Sequence, residues 1–121
     1  MPVTLMALYR RPETDQDGLD TFRRRYADEH LPLVRQTPGL RSLEIHRVAQ
    51  ALSDSDLVMV ALMRFDDRQA LDEGLRSDAM REAGKNLREI APGLVTLLVV
   101  EPDEELEPPP GALPERELDV P

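Results

Sequence analysis

Leu57-Val-Met-Val-Ala-Leu-Met-Arg-Phe65 is apolar on both of its alternating sides, with Leu57, Met59 and Met63 on one and Val58, Val60 and Leu62 on the other. A strand with two apolar faces needs cover on both sides of its sheet. Upstream, Leu40 to Val48 reads as a partner strand, joined to it through the polar stretch Gln50 to Asp56 as an antiparallel hairpin. Downstream, Asp66-Asp67 can cap a helical region from about Arg68 to Ile90, interrupted near Ser77-Asp78, with Leu71, Leu75, Met80, Ala83, Leu87 and Ile90 turned inward. Gly93 then starts a fourth strand ending at Val100. Toward the N-terminus, Val3 to Tyr9 reads as a strand. Asp17-Gly-Leu-Asp20 opens a helix from about Leu19 toward Gln36, and Thr37-Pro38-Gly39 ends it.

The resulting order, βαββαβ, predicts an α+β, ferredoxin-like domain: an antiparallel four-stranded sheet with both helices on one face. At least three strands are apolar on both sides, because Val3, Leu5 and Ala7 oppose Met6 and Leu8, and Leu94 to Val100 has no polar face. The second face therefore needs a cover that the polar, Pro-rich remainder of the chain is too short to supply. A second copy is the simplest one, which predicts a twofold homodimer, a dimeric α/β barrel.

The domain is expected to span residues 1–101, followed by an acidic, Pro-rich tail over 102–121 that is either disordered or held along the partner through Leu106, Leu113, Leu118 and Val120. That tail holds seven acidic side chains against Arg116 alone, so six of the nine net negative charges of the 121-residue chain fall there. Net negative charge argues against nucleic acid and anionic membrane as partners. There is no cysteine, hence no disulfide and no thiolate chemistry. No apolar run approaches bilayer-spanning length, and Met1-Pro2-Val3-Thr4 lacks the pattern of a signal peptide, so the expected location is cytoplasmic.

Only four aromatic side chains occur: Tyr9, Phe22, Tyr26 and Phe65. Phe22, Tyr26 and His30 recur at i, i+4 and i+8 and share a helical stripe with Val34, which turns an imidazole toward the apolar side. Pro32 has no N–H for the Asp28 carbonyl, so the helix is expected to kink, tighten or end beside His30.

Tyr9 before Arg10-Arg11-Pro12, Phe22 and Tyr26 on the helix, then His30-Leu31-Pro32-Leu33 and Pro38-Gly39 resemble the EthD-like proteins of the dimeric α/β barrel superfamily, over roughly residues 2 to 101. The resemblance implies a small dimeric barrel with a cleft between sheet and helices in each subunit. It also places the chain near cofactor-free cyclases, isomerases, decarboxylases, dehydratases and monooxygenases, and near haem-degrading enzymes.

In such a cleft His30 is expected to be neutral near pH 7 and able to act as a general base, with Tyr26 or Tyr9 donating to a carbonyl or enolate oxygen. Phe22, Glu44 and His46 are the candidate substrate-binding residues, the last two next but one on one side of the second strand. The expected activity is that of a cofactor-free lyase, isomerase or cyclase acting on a small hydrophobic or aromatic carbonyl compound. The alternative is a non-catalytic, ligand-binding or stress-related barrel. Two histidines without His-x3-His spacing argue against a metal, and no nucleotide-binding, serine-hydrolase or zinc-protease motif occurs. The arginine runs Arg10-Arg11 and Arg23-Arg24-Arg25 are read as solvated charge, with steering of an anionic substrate as the other possibility.

Overall fold

A computed structural model describes residues 1–13 and 15–106. Four strands, β1 (Val3–Arg10), β2 (Ser42–Arg47), β3 (Leu57–Phe65) and β4 (Val95–Val100), form one sheet in the order β2-β3-β1-β4. Every neighbouring pair is antiparallel. The helices are α1 (Gln16–Arg25), α2 (Leu31–Val34), α3 (Arg68–Leu75) and α4 (Asp78–Ile90). This is the ferredoxin-like βαββαβ arrangement.

Strand alternation decides where the core lies. Val3, Leu5, Ala7 and Tyr9 of β1 and Met59, Ala61, Met63 and Phe65 of β3 point to one side, where Phe22, Tyr26, Val34, Leu71, Ala83, Leu87 and Ile90 cover them. All helices therefore pack on that face. On the other face Met6, Leu8, Val60 and Leu62 remain partly exposed and Leu98 is 43% exposed, leaving an apolar surface bare among the described residues.

The first helix is disturbed beside His30, as Pro32 leads one to expect, but in a different form. It begins earlier, capped by Asp15, whose carboxylate accepts the Gly18 N–H at 3.2 Å, rather than at Asp17. Instead of tightening before Pro32 it widens into a π turn over Tyr26–His30, where the Leu31 N–H reaches the Tyr26 carbonyl. An α-helix drifts by about 40° for each four-residue step, and a wider turn takes back part of that drift. Phe22, Tyr26, His30 and Val34 consequently stay on one buried line while the proline ring is accommodated.

Smaller differences have local causes. Leu75 faces solvent, and Gly74 takes the inward place at the end of α3. A Cβ on Gly74 would lie 2.9 Å from the Phe65 ring and 3.1 Å from the Thr37 methyl, so only a bare backbone fits. Met80 is half-buried. β2 is shorter at both ends than Leu40–Val48. β4 starts at Val95, two residues beyond Gly93, whose φ of 71° turns the chain out of α4. Within the described part of the tail, Pro102 to Leu106 is exposed, and the expectation for residues 107–121 lies outside the described residues.

Candidate functional site

Tyr9 closes the helix-facing side of β1, and the first helix lays Phe22, Tyr26 and His30 over it one turn at a time. Tyr9 stacks edge-on against Tyr26 at 5.2 Å between centroids and lies 5.8 Å from Phe22; Phe22 and Tyr26 are 5.7 Å apart, and the imidazole sits 5.0 Å from the Tyr26 ring. None of the four is more than 4% exposed. The arrangement joins three of the four aromatic side chains of the protein to its only buried histidine.

Burial sets the protonation states. Desolvation holds the His30 pKa below the ordinary imidazole value, outweighing the Asn86 side chain and the Ala83 carbonyl, both of which favour the charged ring. His30 is thus a neutral base near pH 7. Desolvation also raises both phenols, most strongly Tyr9, whose proton is further retained by contact with the Tyr26 hydroxyl. Both tyrosines remain O–H donors across the physiological range.

Beside the imidazole lies a polar group that sequence reasoning missed. Asn86 on α4 donates through Nδ2 to Glu29 Oε1 at 3.0 Å, and Arg25 holds the same carboxylate from Nε at 2.7 Å and Nη2 at 3.0 Å. These contacts keep the Glu29 carboxyl below its ordinary range, the Arg25 hydrogen bond foremost. His30 Nδ1 and Asn86 Oδ1 are both buried without a hydrogen-bond partner. A signal did exist: Asn86 follows Ala83 by three positions and adjoins Leu87 on the inward stripe of α4, where an amide is out of place.

Two clefts meet at Phe22. The larger, about 650 Å3, lies between the start of α1 and the lead into β4, with Thr21, Arg25, Ile90 and Leu94 among its walls. The smaller, about 250 Å3, lies between α1 and the β2–β3 side of the sheet, over Leu19, Ile45 and Met59. Neither is lined by His30, Tyr9 or Tyr26; Phe22, packed on both tyrosines, stands between the clefts and the cluster that holds the buried base.

The structure separates the remaining candidates from this cluster. Glu44 and His46 pair with Leu62 and Val60 of β3 and share the bare face of the sheet, opposite His30. There Glu44 Oε2 lies 3.6 Å from both His46 Nε2 and Arg64 Nη2, an exposed charged corner. The alternation placed the pair together correctly; only the sheet's packing decided that Phe22 would lie on the other side. Among the described residues no three His, Asp or Glu side chains gather to hold a metal, and no helix is long and apolar enough to cross a membrane.

The fold is similar to that of several solved proteins. A crystal structure of an ethyl tert-butyl ether D (EthD) family protein from Bacillus halodurans is 32% identical, with a TM-score of 0.76, covering 85% of this chain and all of that one. A dimeric protein of ferredoxin-like fold from Bacteroides fragilis is 14% identical with a TM-score of 0.62, over 83% of this chain and 95% of that one. SnoaB from Streptomyces nogalater, a cofactor-independent oxygenase, is 17% identical with a TM-score of 0.55, over 84% and 92%. The last two share the fold alone. No family model matches the chain, and no curated protein matches it in sequence.

Proposed function

This chain belongs to the EthD family, and from that premise we propose that it is a cofactor-free lyase, isomerase or cyclase acting on a small hydrophobic or aromatic carbonyl compound, with His30 as general base. The observation that carries the reading is the neutral, buried His30 against Tyr26, with the protonated Tyr9 also packed on Tyr26 and with Phe22, a wall of two clefts, packed on both tyrosines. A carbonyl compound entering past Phe22 would present an acidic C–H to the imidazole. The proton passes to His30, the electron pair moves onto the carbonyl oxygen, and a tyrosine O–H donates to the oxygen as charge develops. Return of the proton to another carbon, closure of a ring or loss of a leaving group completes isomerisation, cyclisation or elimination. Neither step requires a metal or nucleotide.

The functional unit in this reading is a twofold homodimer whose bare sheet faces pack together, as expected for a surface carrying Met6, Leu8, Val60, Leu62 and Leu98. Residues 1–101 form the catalytic domain and 102–121 an appended tail, and the protein acts in the cytoplasm. One observation favours the alternative of a ligand-binding barrel without chemistry: His30 is 4% exposed and lines neither cleft.

Solvent deuterium exchange separates the two. With small ketones, lactones and unsaturated carbonyl compounds in D2O, wild-type protein should catalyse exchange at the carbon next to the carbonyl, and His30→Gln should lower that rate by about 10²–10⁴-fold. Binding of such compounds without His30-dependent exchange would sink the catalytic assignment in favour of the binding barrel.

A further inference from the structure

We propose that the smaller cleft, between α1 and the β2–β3 side of the sheet, is a carboxylate site that takes a single-ring aromatic or unsaturated acid. Three arginines from three separate elements border it: Arg11 in the turn after β1, Arg23 on α1 and Arg47 at the end of β2. No acidic side chain is among its walls. Arg11, Arg23 and Arg47 form no ion pair among the described residues, so no carboxylate compensates the three charges that border this cleft. Arg11 meets only the neutral Gln16 amide oxygen, at 3.2 Å.

Three like charges converging on one mouth repel one another, and an anion between them relieves that repulsion. Arginine is suited to the task because its planar guanidinium can grip a carboxylate with two parallel hydrogen bonds. Low-dielectric walls raise the local potential at the mouth even though the whole protein is an anion. Below the arginines the floor is apolar, made of Leu19, Phe22, Ile45 and Met59. Ile45 is 37% exposed there, a large aliphatic side chain on the helix-facing side that the described residues leave partly uncovered. A charged rim over an apolar floor fits a ring bearing a carboxylate better than it fits an inorganic anion or a neutral hydrocarbon. At about 250 Å3 the cleft lies just below the range for drug-sized ligands, roughly 300–1,000 Å3, which limits the occupant to about one ring.

This inference deepens the proposed reaction by naming a substrate class. It rests on that reading only through Phe22, the wall shared with the His30 cluster. Binding and turnover can therefore fail separately.

The test is calorimetric titration of the full chain at low salt with benzoate, with its neutral isostere benzamide and with inorganic phosphate, for wild type, Arg23→Gln/Arg47→Gln, Arg24→Gln and His30→Gln. Benzoate should bind at least about tenfold tighter than benzamide, with an affinity that falls as salt is added. The double arginine variant should lose that preference. Arg24→Gln, on the same helix but outside the cleft, should keep it, as should His30→Gln. Equal affinity for benzoate and benzamide, phosphate binding as tight as benzoate, or a preference that survives the double variant would each overturn the carboxylate site. If benzoate binds as expected while no deuterium exchange is found, the site stands and the general-base reading falls.

Discussion

His30 and His46 lie on opposite faces of one four-stranded sheet, and the two faces treat the same side chain in opposite ways. On the helix-covered face the imidazole is enclosed by Tyr26, Asn86 and the Ala83 backbone, and desolvation keeps it neutral. On the bare face His46 stands 60% exposed in its side chain beside Glu44 and Arg64, in reach of solvent and of whatever covers the sheet. What differs is that a layer of helices seals one side, while the other stays bare among the described residues. The proposed base belongs to the first face, and the proposed dimer contact to the second.

The division breaks most completely at the centre of the bare face. Leu62 of β3 sits between Glu44 of β2 and Met6 of β1, and Leu62→Glu would place a charge where two sheets are expected to meet. Light scattering should find wild type as a dimer at micromolar concentration and the variant as a monomer, its dimerisation weakened by about a hundredfold or more because an unpaired carboxylate would be buried in each subunit. Wild-type protein that is monomeric under those conditions would remove the assembly role of this face.

Phe22→Ala attacks the opposite side. Loss of a buried ring that packs on Tyr9 and Tyr26 should cost about 3–5 kcal/mol in chemical denaturation. It should also join the clefts to the base. Diethyl pyrocarbonate should modify His46 readily and His30 slowly in wild type, and at comparable rates in the variant. Rapid modification of His30 in the native wild-type protein would show that Phe22 is no partition.

The smallest effect is the pH dependence of stability. The unfolded chain takes up a proton at His30 near 6.5, while the folded state resists protonation until lower pH. Unfolding therefore binds protons in that window, and His30 contributes stability that is present above pH 6.5 and is lost as pH falls through the folded-state value. His30→Gln should flatten the loss on this interval only, leaving the acid limb below the ordinary carboxylate range unchanged. Identical stability profiles for wild type and variant between pH 4.5 and 6.5 would mean that the ring titrates alike in both states.

Much of this architecture was legible in the chain. The two-sided apolarity of Leu57–Phe65 and Leu94–Val100 marked strands that need cover on both faces, although only the first is interior and β4 lies at the sheet edge, and the helix-period spacing of Phe22, Tyr26 and His30 marked the stripe that the fold buries. Less legible was the π turn at Tyr26–His30, because Pro32 signals a disturbed helix without saying whether it tightens or widens. Leu75 and Gly74 exchanged their expected places because the approach of α3 to Phe65 leaves no room for a Cβ. Asn86 passed unnoticed because its significance depends on Glu29 and His30, more than fifty residues away.

Periodicity, turn residues and the Tyr-x3-His-x-Pro-Leu stretch determined by themselves the order of elements, the face each strand residue occupies and the family, since these depend on contacts within one helix or one strand. Only the tertiary structure decided which residues share a site. Tyr26 joins Tyr9, Phe22 and His30, Glu44 and His46 fall behind the sheet, and Arg11, Arg23 and Arg47 border one cleft although distant in the chain. Local spacing fixes the direction of a side chain relative to its own backbone. What that side chain meets is set by how the sheet is ordered and which of its faces the helices cover.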